Sequence, residues 1–446
     1  MSTTKTTGGR VARELTPLEE IEQAVQARAK RLTVSLDGSD GERALRALVD
    51  EEIERWRLDH RRGVRPFDLA DPELVAERAV RNLAGYGPLG PLLEDDDVWE
   101  IMINAPDQIF VKRHRGPSGY HHEVFHDDDH VFRTLTKILD DASTAHRKLD
   151  PSEGLQDAQL EGGARLHIVH SDIARGGHLV VNIRKFTGVP FRNMRELVDA
   201  GMLDEPAAAF LEGCVAARCS IVFAGVPGAG KTTLLSCCAA ALDPSLRVVI
   251  AEEVFETDVP LPNVASMQTR AARADRPEID LRRLVSGFLR MAPDVAIVGE
   301  VRDREALPLL LTLSSGVQGF TTIHAGSARQ ALTRLRFICQ LADTRSELPV
   351  SALNTLVSES IDVVVHCVRG PAGPRVSSIV AVEDLTGPID GTQFTATDVY
   401  ARAEPNAPLT WTGQVPTRLA RRFAERGVDV RSLLDDGRPR QRQVRR

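Results

Sequence analysis

Residues Gly225-Val226-Pro227-Gly228-Ala229-Gly230-Lys231-Thr232 spell the pattern GxxxxGK[ST]. An apolar run at 221–224 precedes them, and a helical run at 233–242 follows. Strand, glycine-rich turn and helix in this order form a phosphate cradle. The glycines let successive backbone N–H groups face one centre, at a helix N-terminus that favours an anion. Lys231 is a compact cation suited to the β- and γ-phosphates, and the Thr232 hydroxyl suits Mg²⁺. Gly225 through Thr233 are therefore the expected nucleotide-binding residues. The alternative is an ordinary glycine-rich turn. The chain has seven Lys against 49 Arg, so a lysine at this one position is not a chance of composition.

Working outward, short apolar or β-branched runs recur at 221–224, 248–251, 295–298, 321–323 and 361–365, mostly separated by helical segments. That alternation predicts an α/β domain with a largely parallel sheet. Three runs end on groups a P-loop hydrolase needs. Glu300 follows the run at 295–298 and Gly299. Glu252, Glu253 and Glu256 follow the run at 248–251. His324 follows the run at 321–323. Carboxyl ends of parallel strands share one edge, where ligands collect. Glu252 and Glu300 are candidates to orient the attacking water. Thr232, Glu253 and Glu300 are candidates for Mg²⁺, directly or through water, and His324 for sensing the γ-phosphate. The bland alternative for each is a solvated loop residue or a structural histidine.

Upstream the texture differs. Residues 1–12 read as disordered. Helical periodicity follows, with Leu15, Leu18, Ile21 and Val25, then Leu45, Leu48, Ile53 and Trp56. A third helix opens at Asp71-Pro72, where Asp caps and Pro sits in the first turn. From 87 to about 198, short runs at 101–103, 108–111, 165–169 and 178–183, broken by a helix near 130–142, predict an α+β domain with an antiparallel sheet. The expected division is thus 1–12 disordered, 13–84 a helical arm, 85–200 an α+β domain, 201–430 the nucleotide domain with a C-terminal extension, and 431–446 a basic disordered tail.

Composition limits the rest. At 446 residues, two to four domains of about 100–200 residues fit. Net charge is −7, which argues against a general nucleic-acid binder. The polar start has no apolar core of a secretory signal, and no run reaches the roughly 18 residues of a membrane span. The six cysteines form no CxxC pair, so reduced structural thiols in a cytoplasmic protein are expected. His121, His122, His126 and His130 surround Asp127–Asp129. They admit a metal, but read better as a polar strand end entering a capped helix.

The ordered set resembles the secretion-superfamily traffic ATPases that power type II and type IV secretion and type IV pili. The P-loop is followed by an acidic box at 252–256, a Walker B segment from Leu289 through Val298-Gly299-Glu300-Val301-Arg302, and a histidine box Thr322-Ile323-His324-Ala325. Upstream, Tyr86-Gly87-Pro88-Leu89-Gly90-Pro91-Leu92-Leu93, Val98-Trp99-Glu100-Ile101-Met102-Ile103-Asn104, Asp157-Ala158, Gly163-Ala164-Arg165 and Ile183-Arg184-Lys185-Phe186 resemble the CpaF-type enzymes of tight-adherence (Flp) pilus systems. The resemblance spans about 70–385. Departures are Gln159 for the usual Arg, Gly154-Leu155 for Pro-Met, Glu253 for Asp, Ala292 for Arg and Asp303 for Gly.

The resemblance implies a C-terminal RecA-like domain and Mg²⁺-dependent hydrolysis of ATP to ADP and phosphate. It implies a homohexamer that is peripheral on the cytoplasmic membrane face and drives an inner-membrane platform protein; the net charge of −7 and little aromatic–basic interleaving argue for no nucleic acid as partner. Arg147, Arg165, Arg184 and Arg270 are candidate fingers, each weighed against a surface ion pair. Two other functions stay open: a conjugation-type nucleic-acid translocation ATPase, and an ATP-binding scaffold with weak turnover.

Overall fold

The computed structural model describes residues 15–32, 38–114, 116–142, 149–160, 163–185, 191–270, 277–342, 348–370, 373–385, 393–404 and 407–435. The expected disordered start at 1–12 lies outside them. The fold is mixed α/β, in two compact units, Met1–Thr187 and Gly188–Arg446.

The first unit begins with α1 (Pro17–Leu32), α2 (Gly38–Arg61) and α3 (Pro72–Ala84). Their apolar stripes meet in one cluster of Leu18, Ile21, Val25, Leu45, Val49, Trp56 and Ala76. As expected, the Asp71 side chain caps α3 by accepting from the Leu74 N–H at 3.0 Å. The short α4 (Gly90–Glu94) leads into β1 (Val98–Ala105), β2 (Gln108–Arg113) and β3 (Gly119–Tyr120), then α5 (Asp128–Asp141), β4 (Leu155–Gln159), β5 (Arg165–Val169) and β6 (Val180–Arg184). The sheet order is β3-β2-β1-β6-β5-β4, and every pairing is antiparallel. One face is buried: Ile101, Ile103, Leu166, Ile168, Val181 and Ile183 pack with Val131, Leu135 and Ile138 of α5. Period-2 alternation on half-buried strands is why this sheet was readable.

Polar pairs join the helical arm to the segment between β3 and α5. Arg81 of α3 donates to both oxygens of Glu123 at 2.8 Å. Glu22 of α1 accepts from Asn82 at 2.7 Å and contacts His126 Nε2 at 2.9 Å. Asp127 caps α5 by accepting from the His130 N–H at 2.8 Å, and burial pushes His130 down to about 3. The histidines thus join a carboxylate junction and a cap. Among the described residues, no group of three or more His, Cys, Asp or Glu forms a metal site.

The second unit opens with α6 (Met194–Asp199) and α7 (Glu205–Ala216). Met194 and Leu197 are buried in this unit's core, which is why the division falls at Thr187/Gly188 and not at the expected 200/201. Then follow β7 (Ile221–Gly225), α8 (Lys231–Ala240), β8 (Val248–Glu252), β9 (Val264–Gln268), α9 (Leu281–Val285), β10 (Val295–Val298), α10 (Ala306–Ser314), β11 (Gln318–Ile323), α11 (Ala328–Ala342), α12 (Val350–Ser360) and β12 (Val363–Gly370). The chain continues through β13 (Gly373–Val382), β14 (Ala396–Arg402), β15 (Leu409–Trp411), α13 (Thr417–Glu425) and α14 (Val430–Asp435). The sheet order is β15-β14-β13-β12-β7-β11-β10-β8-β9. It is parallel from β12 to β9 and antiparallel from β12 to β15.

Both faces of this sheet are covered. Ile221 and Phe223 enter one core, and Val222 and Ala224 the other. That double burial is why its strands read as continuous apolar runs. Two elements differ from expectation. β9 has no fully buried residue, so it leaves no apolar run. The tail expected from 431 is instead helical through 435, because Val430, Leu433 and Leu434 are buried. Buried Asp362 holds α13 in place. It accepts from the Ser220 N–H at 2.8 Å and pairs with Arg418 at 3.0 Å and Arg422 at 2.5 Å. All six cysteines are buried and none is in a disulfide. Among the described residues, no helix is long and apolar enough to cross a membrane.

Candidate functional site

β7 delivers the chain to the glycine-rich loop, and α8 starts at Lys231. Two glycines are required by their surroundings. Gly225 sits at φ +152°, where a Cβ would lie 2.3 Å from the Cys367 carbonyl of β12. Gly230 sits at φ +82°, where a Cβ would lie 2.8 Å from Pro374 Cβ. Both Cβ positions collide with neighbouring atoms, so only glycine leaves the loop its shape. Lys231 is 7% exposed. Its ammonium donates to the Val226 carbonyl at 3.1 Å.

From there a row of polar contacts runs along the carboxyl edge of the sheet. Lys231 Nζ lies 3.3 Å from His324 Nδ1, which also lies 3.1 Å from the Gly225 carbonyl. His324 Nε2 meets Glu300 Oε1 at 2.7 Å. Glu300 Oε2 accepts from Arg302 Nη2 at 2.6 Å. Arg302 Nη1 donates to Glu253 Oε2 at 2.9 Å. The row follows the strand order β7-β11-β10-β8: phosphate loop, His324 after β11, Glu300 after β10, Glu253 after β8. Parallel strands in register bring together residues that lie far apart in the chain. The end of β10 is fixed by β11, whose Thr321 and Thr322 hydroxyls donate to the Val298 and Gly299 carbonyls at 2.8 and 2.7 Å.

The acids are not equivalent. Although burial alone would raise Glu300, its hydrogen bonds and charges from His324 and Arg302 hold it at about 2. Glu252 is 2% exposed, and its side chain packs against Gly299, where a Cβ would lie 2.9 Å from Glu252 Cγ. Its Oε1 accepts from the Thr257 hydroxyl at 2.6 Å and from the Thr257 and Glu256 N–H groups at 2.9 and 3.2 Å. Its Oε2 is buried with no hydrogen-bond partner, and burial pushes the carboxyl up to about 7.

The donor chemistry suits a nucleotide that carries its own metal. Thr232, Glu253 and Glu300 offer hard oxygens of the kind Mg²⁺ takes, one or two carboxylates alongside phosphate oxygens and water. The cradle that a Cβ at Gly225 or Gly230 would fill suits the phosphates.

The structure shows local contacts for three of the candidate fingers. Arg270 bonds locally, closing a bridge with Ile279 and donating to the Pro277 carbonyl at 3.2 Å. Arg165 and Arg184 oppose each other on β5 and β6 of the first unit. Arg147 lies outside the described residues. Lys185 is structural: it donates to the Leu92 and Asp95 carbonyls at 3.0 and 2.7 Å. Four residues of the site were given no role from sequence: Arg302, Glu305, Thr257 and Arg369, whose Nη1 donates to the Gly228 carbonyl at 3.1 Å. Only Arg302 left a usable signal, a cation two residues after the Walker B acid.

Residues 82–382 match the family model described as type II/IV secretion system protein. A putative conjugal transfer protein of Mycobacterium tuberculosis is 32% identical over 324 residues, covering 70% of this chain and 89% of that one. Type IV secretion system protein PtlH of Bordetella pertussis is 30% identical over 304 residues, covering 62% and 87%. Among solved structures, the VirB11 ATPase of the Brucella suis type IV secretion system is 25% identical, covers 66% of this chain and 91% of its own, and has a TM-score of 0.35.

Proposed function

Because the chain belongs to the type II/IV secretion system protein family, we propose that it is the ATP-hydrolysing motor of a pilus or secretion machine, working from the cytoplasmic membrane face. The observation that carries this reading is the unbroken row from Lys231 through His324 and Glu300 to Arg302 and Glu253.

The enzyme is an ATPase, and its own residues divide the work. The loop N–H groups from 228 to 233 and Lys231 bind the triphosphate. Thr232, Glu253 and Glu300 would hold Mg²⁺, which when bound would supply positive charge to offset that on the transferring phosphoryl group. Glu300 stays ionised and orients the attacking water, with His324 holding one of its oxygens. His324 stands between Lys231 and Glu300, so it registers whether a γ-phosphate occupies the cradle. Glu252 has the affinity for a proton of a base working near neutral pH, but its visible contacts hold the 256–257 turn. Arg147, Arg165, Arg184 and Arg270 stand as finger candidates. The finer reading is a CpaF-type Flp pilus motor, assembled as a homohexamer and coupled to an inner-membrane platform protein. The resemblance of the upstream segments from Tyr86 to Phe186 supports that branch.

Two measurements test this. Purified protein should hydrolyse ATP in Mg²⁺, and Lys231→Ala should abolish nucleotide binding; binding unchanged by that substitution would sink the enzyme reading. In cells, deletion should remove surface pili or a secreted protein set, restored by wild type but not by Glu300→Ala. Normal pili together with normal secretion would exclude the motor assignment. A second reading, nucleic-acid translocation, is favoured by the conjugal transfer relative. Stimulation of ATPase activity by single-stranded DNA would support it.

A further inference from the structure

The row of contacts contains a cation that the hydrolysis scheme does not use. Arg302 bridges two acids at the ends of adjacent strands, with one guanidinium nitrogen on Glu300 at 2.6 Å and the other on Glu253 at 2.9 Å. β8 and β10 pair in parallel register, so both carboxylates emerge at the same edge, and Glu256 adds a third negative charge that acts on the same guanidinium. Without Arg302, this acidic edge would face an incoming triphosphate with like charge, and like charges in a partly buried cleft repel strongly.

The backbone of Arg302 is held while its head group remains half-exposed. Buried Glu305 accepts at Oε1 from the N–H of Arg302 at 2.5 Å and of Asp303 at 2.9 Å. The base of the side chain is therefore fixed, and a long, flexible stem carries a planar fork that matches two carboxylates at once. The side chain is 42% exposed, so the guanidinium can leave its partners for solvent without a cavity forming behind it.

We propose that Arg302 is a stand-in cation: in the nucleotide-free enzyme it neutralises and aligns Glu253 and Glu300, and it yields Glu300 when metal-bound nucleotide enters. Arg302 is a positioning residue in this scheme, since it acts through the two acids. The inference rests on the ATPase reading. It ties Arg302 to nucleotide binding without metal, where no Mg²⁺ offsets the two carboxylates.

The experiment is a titration of the full-length protein with a fluorescent non-hydrolysable ATP analogue, once in Mg²⁺ and once in EDTA. For Arg302→Gln, affinity in EDTA should fall about tenfold while affinity in Mg²⁺ changes less than about twofold, so the ratio of the two rises about tenfold, a change that matches one interacting charge pair. Arg302→Lys should give a smaller rise, because a single ammonium does not span both acids in fork geometry. Adding Glu253→Gln to Arg302→Gln removes the stranded charge and should return the EDTA affinity toward wild type, as a double-mutant cycle requires of coupled groups. A merely structural Arg302 would lower both affinities in parallel, and that result, or no change in either, overturns the proposal. If Arg302→Gln melts below the assay temperature, the Lys variant carries the same test, and an unchanged ratio there is equally fatal. Wild-type protein that binds the analogue in neither condition would overturn the ATPase reading itself and this inference with it.

Discussion

β8 and β10 are neighbours, run parallel in register, and lead to glutamates at the same edge of the sheet, yet Glu252 and Glu300 are opposite kinds of acid. Glu300 meets a histidine and an arginine and is held at about 2. Glu252 is enclosed by its own strand end and the 256–257 turn, and burial lifts it to about 7. Position at a strand end sets where a carboxylate stands. What faces it sets what it can do. Glu300 keeps its charge across the neutral range; Glu252 is a carboxyl whose charge is optional at neutral pH.

The largest effect that sharpens this contrast is on turnover. Glu300→Gln keeps the shape but removes the charge, and should lower kcat about a thousandfold, within the range for a preorganised charge at a phosphoryl-transfer site. Nucleotide affinity should change little. An equal loss for Glu252→Gln would erase the distinction.

Next comes stability against pH. Glu252 titrates in the folded protein at about 7, above its ordinary 4.5, so the folded state holds the proton more tightly. Its contribution is therefore fully present below about pH 4.5 and is lost as pH rises through 7. Glu252→Gln stays neutral and should escape that loss. Its stability relative to wild type should climb by about 3 kcal/mol between pH 4.5 and 8, read as urea midpoints at several pH values. A flat difference would mean that Glu252 is not held protonated.

The smallest effect concerns the turn. Thr257→Val removes the hydroxyl that donates to Glu252 at 2.6 Å and should cost about 1 kcal/mol at pH 8, where the acceptor is charged. It should also move the Glu252 transition upward, since that bond lowers the carboxyl's pKa. Thermal melts at pH 5 and pH 8 would register both.

How much of this was readable depended on whether a signal was local. The glycine loop, its strand and its helix lie within about twenty consecutive residues, so all three were legible. The β-branched runs at 248–251 and 295–298 announced their strands because both faces are buried, while β9 at the sheet edge has no such run. Thr257 was not legible, because nothing in a sequence says that a turn four or five residues on will fold back over its own strand end. The Glu253–Arg302–Glu300 bridge depends on the register of β8 against β10, and order along the chain does not reveal which strands are neighbours. Arginine roles were the hardest to read. Among 49 of them, Arg418 and Arg422 hold Asp362 and Arg369 props the phosphate loop, with no local pattern to separate these jobs from solvation.

The carbonyl of Cys367 against Gly225 also bears on how the protein is made. The phosphate loop is synthesised early in its unit, but the strand that walls it arrives about 140 residues later. At about 5–20 residues per second, roughly seven to thirty seconds separate the two on the ribosome. Until β11 is made, about 95 residues on, β7 has neither of its sheet partners, β11 and β12. The nascent chain therefore carries an exposed apolar strand before it carries a nucleotide site, so its dependence on chaperones should be concentrated in that window.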